Sequence, residues 1–134
     1  MKKILIIEDE PEARSLLARR LSAHRYEVLE AGDGAEGMLK AKEAKPDLIV
    51  LDLKLPGQDG IEIYGSMRKN PALVKVPVLF LTAISTGESM SKQSLGLIAS
   101  AKHGVELTGN YRAMGKPYDA KRLVEALREM LEGR

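Results

Sequence analysis

The sequence predicts an α/β fold, a parallel sheet covered by helices on both sides, and three observations predict it. Short, unbroken apolar runs recur along the chain: Ile4-Leu5-Ile6-Ile7, Leu48-Ile49-Val50-Leu51 and Val78-Leu79-Phe80-Leu81. Such runs are the mark of strands buried on both faces. Between them lie stretches with helical spacing and recognisable helix starts. Strands alternating with helices imply right-handed crossovers, which lay helices on each face of the sheet.

Each element has its own signal. Ile4 to Ile7 is the first strand. Pro11 follows three acids and suits the first helical position, after which Ala13, Leu16, Leu17 and Leu21 repeat at helical spacing. Val28-Leu29 is a second short strand. Asp33, with Glu36 three residues on, forms a capping start for a second helix. Met38 and Leu39 supply that helix's apolar stripe, and Pro46 ends it. Leu48 to Leu51 is the third strand. A loop, Asp52 to Gln58, leads to Asp59, which caps a third helix with Glu62 in its first turn. Val78 to Leu81 is the fourth strand. Ser91 to Lys102 has helical spacing through Leu95, Ile98 and Ala101, weakened by Gly96 and the serines. Val105 to Thr108 and Tyr111 to Met114 read as two strands around Gly109-Asn110, with Gly where a type II′ turn needs it. Asp119 caps a last helix carrying Leu123, Val124, Leu127, Met130 and Leu131 on one face.

Composition bounds the function. A chain of 134 residues suits one domain, here taken as residues 1–134, with no internal boundary. Its 21 basic and 19 acidic residues give a net charge of +2 with both signs scattered, so no footprint for nucleic acid or an anionic membrane is expected. Without cysteine there is no disulfide, thiolate metal site or thiol catalysis. The apolar runs are far too short to span a bilayer, and the start resembles no signal peptide. The expectation is a small cytoplasmic domain. The last helix runs to the end of the sequence without a linker, so the expectation leans slightly to a stand-alone regulator, and a receiver cut from a longer protein stays open beside it.

The chemistry-bearing residues stand at strand ends. Glu8, Asp9 and Glu10 follow the first strand, Asp52 the third, Thr82 closes the fourth, and Lys116 follows the last. Open parallel sheets bind ligands at the carboxyl ends of their strands. Each residue alone has a bland explanation as a cap, a turn residue or a β-former. As a set they converge on one edge. Clustered carboxylates suit a hard divalent cation such as Mg2+, and the Lys and Thr suit a phosphoryl group.

These motifs resemble the receiver domains of two-component response regulators. The residues that carry the resemblance are Ile-Ile-Glu8-Asp9-Glu, Leu-Ile-Val-Leu-Asp52-Leu-Lys-Leu-Pro56-Gly-Gln-Asp59-Gly60, Leu-Phe-Leu-Thr82-Ala83 and Gly-Lys116-Pro117-Tyr118-Asp. The resemblance covers residues 2 to 132. It implies a doubly wound, flavodoxin-like sheet of five parallel strands in the order 2-1-3-4-5. It implies that Asp52 is the phosphoacceptor, taking a phosphoryl group from a histidine kinase or histidine phosphotransfer protein. Asp9, Asp52 and the backbone carbonyl of Lys54 would ligate Mg2+, with Glu8 acting through water. The Thr82 hydroxyl and Ala83 amide would hold phosphoryl oxygens, and Lys116 would pair with the phosphate. The domain would not be an enzyme beyond self-phosphorylation from small donors and slow autodephosphorylation. It would signal through its fourth-helix and fifth-strand surface, and Lys116-Pro117 would be a cis bond.

Three other readings compete with this one. A haloacid-dehalogenase-type phosphohydrolase needs an acid two residues after the nucleophile, and that position is Lys54. A flavodoxin-like cofactor binder needs a small-residue phosphate loop where this chain has three acids. A degenerate receiver acting only as an interaction module is disfavoured because the five chemical positions are filled. The chain departs from its family between Thr82 and Lys116, where it is longer than receivers usually are. Ala113 also stands where receivers tend to carry an aromatic switch residue; the nearest aromatic is Tyr111, on the same strand face. Two readings stay open for the extra length: a hairpin of Val105 to Thr108 with Tyr111 to Met114 that extends or caps the fifth-strand edge, or a mobile loop with no partner role. His24 and His103 are too few and too distant for a metal site.

Overall fold

The structure, a computed structural model, describes residues 1–55, 58–83, 110–116 and 118–132. Its main sheet consists of β1 (Lys3–Ile7), β2 (Glu27–Ala31), β3 (Leu48–Asp52), β4 (Val78–Ala83) and β5 (Tyr111–Lys116). All neighbours are parallel, and the strand order is β2-β1-β3-β4-β5. Helices α1 (Pro11–Ala23), α2 (Gly34–Ala44), α3 (Gly60–Arg68) and a last helix (Ala120–Leu131) cover it.

Alternation along the strands divides the core into two layers. Ile4, Ile6, Leu48, Val50, Leu79 and Leu81 point toward α1 and the last helix, meeting Leu17, Leu21, Leu123 and Leu127. Leu5, Ile7, Ile49, Leu51 and Phe80 point the other way, toward Ala41 of α2 and Ile63, Tyr64 and Met67 of α3. Because both faces are covered, every residue of β3 is buried. This is why the run reads as unbroken apolar sequence until its last residue, Asp52.

The helix starts are as the sequence indicates. Asp33 accepts a hydrogen bond from the Glu36 amide (2.8 Å), while the Glu36 carboxylate accepts one from the Gly32 amide (2.7 Å). Asp59 accepts from the Ile61 amide and Asp119 from the Lys121 amide, each at 2.8 Å. Lys45 ends α2 in the left-handed region (φ 51°), just before Pro46.

Two helical stripes need correction. Leu16 is 47% exposed, and the buried face of α1 is Leu17, Ala18 and Leu21. On α2, Leu39 is 56% exposed, and Gly34, Gly37 and Ala41 are the buried residues. Met38 does pack against the core, as expected; beside it the approach is close, since a Cβ on Gly37 would lie 2.5 Å from the Ile7 side chain, so small residues form the rest of the contact face. The expected loop from Asp52 to Gln58 also contains order, a two-residue antiparallel pairing of Lys54–Leu55 with Gln58–Asp59. The Ser91–Lys102 helix, Val105–Thr108, Gly109, His103 and Pro117 lie outside the described residues. Tyr111 to Met114, assigned to a hairpin, forms part of β5 and pairs in parallel with β4. Among the described residues no helix is long and apolar enough to cross a membrane.

Candidate functional site

The carboxyl ends of β1, β3, β4 and β5 bring the separated polar residues to one place. Glu8 follows β1 directly, its amide donating to the Ala31 carbonyl (3.0 Å). Asp52 is the last residue of β3, Thr82 and Ala83 end β4, and Lys116 ends β5 in register with Ala83. Glu8, Asp52 and Thr82 are the only buried polar or charged residues among those described, at 4%, 6% and 6% exposure. Burying such groups is costly unless they are paired.

Lys116 supplies part of that pairing. Its Nζ donates to Asp52 Oδ2 at 2.9 Å and to Glu8 Oε1 at 3.0 Å. The Lys54 amide donates to Asp52 Oδ1 at 3.0 Å. Glu8 Oε2 is buried and accepts no hydrogen bond. The titration behaviour follows. Burial, and next the hydrogen bond with Asp52, push Glu8 from 4.5 up to about 8. Burial also pushes Asp52 upward, but hydrogen bonds with Glu8, Lys116 and the Lys54 amide outweigh it and hold Asp52 below its ordinary value. Burial works against the Lys116 cation, yet its two carboxylate partners hold its pKa above normal. Burial thus disfavours a second negative charge beside Asp52, and it is the Glu8 carboxyl that is pushed toward its protonated form.

Carboxylate oxygens of Glu8, Asp9 and Asp52 can all lie within 4.8 Å of one another. Asp9 is exposed, so the cluster opens to solvent on one side. An unsatisfied oxygen on Glu8, beside two more acids, is what a hard divalent cation relieves. The donor set therefore fits Mg2+.

The backbone just after Asp52 packs against the start of α3. The Gly60 amide donates to the Leu53 carbonyl (2.9 Å), and a Cβ at Gly60 would lie 2.4 Å from the Asp52 carbonyl oxygen. Only glycine lets the start of α3 press so closely on the Asp52 backbone.

A family model described as the response regulator receiver domain matches residues 4–128. The chain belongs to that family. It is 34% identical over 131 residues to the DNA-binding dual master transcriptional regulator RpaA of Synechocystis, covering 98% of this chain and 49% of that protein. The chain thus spans about half the length of that relative. Among solved structures it resembles the Vibrio cholerae chemotaxis protein CheY4, with TM-score 0.78 and 26% identity over 97% of this chain and 98% of that one. It also resembles the Thermotoga maritima response regulator TrrA, solved in complex with Mg2+-BeF, with TM-score 0.75 and 28% identity over 97% and 99% of the two chains. The fold is the flavodoxin-like one of these receivers, and the receiver's phosphoacceptor site is what the pocket of Glu8, Asp9 and Asp52 fits.

Two features of this receiver were not read from the sequence. The first is Gly60 as a close-packing position. The second is Arg14, whose Nη1 donates to the Glu8 carbonyl at 2.8 Å and whose Nε donates to Glu30 at 3.3 Å. A cation one turn into a helix carries no sequence signal for such a reach. Tyr111 is 8% exposed and packs edge-on against Phe80 and Tyr64, with ring centroids 6.3 Å away in both cases. It pairs with Val78 at the start of β4, whereas Thr82 pairs with Gly115 at the other end. The ring therefore sits four residues from Thr82's level, roughly 13 Å at about 3.3 Å per residue.

Proposed function

We propose that this receiver takes a phosphoryl group from the phosphohistidine of a histidine kinase or phosphotransfer protein onto Asp52. The observation that carries the reading is geometric: the buried Asp52 carboxylate ends β3 beside Glu8 and Asp9, with Lys116 Nζ at 2.9 Å from its Oδ2 and the Lys54 amide at 3.0 Å from its Oδ1. An ionised carboxylate is the nucleophile such a transfer requires. Asp9, Asp52 and the Lys54 carbonyl, with Glu8 through water, would hold Mg2+. When bound, that ion would screen the acids and the incoming phosphate from one another. Lys116, already poised on Asp52, would turn to a phosphoryl oxygen. The Thr82 hydroxyl and Ala83 amide would accompany it by donating to the others. Transfer needs positioning and charge stabilisation more than proton chemistry, which suits this set of acids and donors.

In this reading the domain's own chemistry ends at self-phosphorylation from small donors and slow loss of the phosphoryl group. The switch is the movement of Thr82 and Lys116 toward the new charge. Nucleic acid is not proposed as a ligand of this domain, whose charges are balanced and mixed. Its place of work is proposed to be the cytoplasm. Beryllofluoride with Mg2+ stands in for the phosphoryl group and tests the arrangement. Amide resonances of Thr82, Ala83 and Lys116 should shift in the wild type and not in Asp52→Asn. Equal shifts in both would contradict the assignment.

A further inference from the structure

We infer that Arg14 is a positioning residue for divalent-cation binding, acting through the backbone of the Glu8–Asp9 turn; this rests on the Mg2+ reading above. The Glu8 peptide groups are held from two sides. Its amide donates to the Ala31 carbonyl at the end of β2, and its carbonyl accepts from Arg14 Nη1. A peptide unit is rigid and planar, so fixing the Glu8 carbonyl also fixes the amide and Cα of Asp9. The Asp9 carboxylate projects from that Cα. Asp9 is exposed, so its backbone is what restrains its direction.

Arg14 is itself held in place. Its Nε donates to Glu30 of β2 at 3.3 Å, with the Arg14 side chain largely covered and that of Glu30 a little under half exposed. A Cβ at Gly32 would lie 3.2 Å from Nη1, so the glycine leaves room for the guanidinium to pass. One planar group thus links α1, the end of β1 and β2. Lysine offers a point charge and cannot reproduce two differently directed donors.

The sign of the effect separates positioning from simple electrostatics. Arg14 is a cation close to a site for another cation, so Coulomb's law alone says its removal tightens Mg2+ binding. Positioning says the reverse. Groups that orient metal ligands typically contribute 10–100-fold to affinity. For Arg14→Ala we expect Mg2+ dissociation constants about 10-fold higher, the lower end of that range.

The experiment is calorimetric titration of MgCl2 into the metal-free domain at constant ionic strength, for wild type, Arg14→Ala, Arg14→Lys and Glu30→Gln. Thermal melting in EDTA is followed alongside. Weaker binding by Arg14→Ala, a partial recovery by Arg14→Lys and a smaller weakening by Glu30→Gln support the inference. Should Arg14→Ala not fold, the other two variants carry the test. Equal or tighter binding by folded variants overturns it, as does full recovery by Arg14→Lys. A wild type that binds no Mg2+ sinks the metal reading and this inference together, whereas wild-type binding unchanged in the variants sinks this inference alone.

Discussion

Lys116 Nζ lies 2.9 Å from Asp52 Oδ2 and 3.0 Å from Glu8 Oε1, so one ammonium joins the carboxyl ends of three strands. Before any phosphoryl group arrives, this cation offsets two buried acids. Replacing it with methionine leaves Asp52 without its cation and Glu8 without a hydrogen-bond donor. Breaking a buried pair costs about 3–5 kcal/mol, and the partial exposure of Lys116 places the expected loss in EDTA nearer 1–3 kcal/mol. Urea melts of Lys116→Met check this, and Mg2+ should recover part of the loss. A variant as stable as wild type in EDTA would contradict the pairing.

The acids give a pH dependence with a definite sign. Glu8 titrates near 8 in the fold and near 4.5 when unfolded, so the folded state favours its proton. Its contribution to stability is complete below 4.5 and is lost as pH rises toward 8. Asp52, held low, contributes above its unfolded value of 3.8 and loses that contribution as pH falls through its folded pKa. Melting temperatures in EDTA should therefore decline between pH 5 and 8 more steeply for wild type than for Glu8→Gln. Parallel profiles would remove Glu8 as the cause. Mg2+ should bind more tightly as pH rises through the same window, because binding displaces the Glu8 proton.

Gly60 permits α3 to start against the Asp52 peptide. In Gly60→Ala the added methyl meets main-chain atoms, 2.4 Å from the Asp52 oxygen and 2.9 Å from the Leu53 Cα. Backbone must move, at a cost of about 1–3 kcal/mol. Denaturant melts should show the loss, and Mg2+ affinity should fall with it. A neutral substitution would show that the turn accommodates the methyl freely.

Tyr111 belongs to the core beneath the sheet's far end, not to the cleft. Tyr111→Leu should cost about 1 kcal/mol from lost ring pairing. It should leave the rate of phosphorylation from acetyl phosphate unchanged. A slowed rate in a folded variant would contradict this and tie Tyr111 to the site.

What was legible in the sequence follows from what burial does to composition. β1, β3 and β4 are covered on both faces, so they appear as unbroken apolar runs, and the polar residues that end them stand out. Asp33, Asp59 and Asp119 cap their helices through contacts two or three residues away, which a local pattern captures. Leu16 and Leu39 were misplaced because helical spacing ranks residues by apolarity, while the actual contact on α2 is set by Gly37 pressing on Ile7. Arg14 was missed for a related reason. Its partners, the Glu8 carbonyl and Glu30, are joined to it only by the fold, and a backbone oxygen has no letter in the sequence.

The central claim is that Asp52 is the phosphoacceptor. Intact-mass analysis after incubation with acetyl phosphate and Mg2+ tests it most directly, in wild type, Asp52→Asn and Asp9→Asn. The account predicts a single phosphoryl adduct on wild type, none on Asp52→Asn and slowed labelling of Asp9→Asn. Equal labelling of wild type and Asp52→Asn would contradict it.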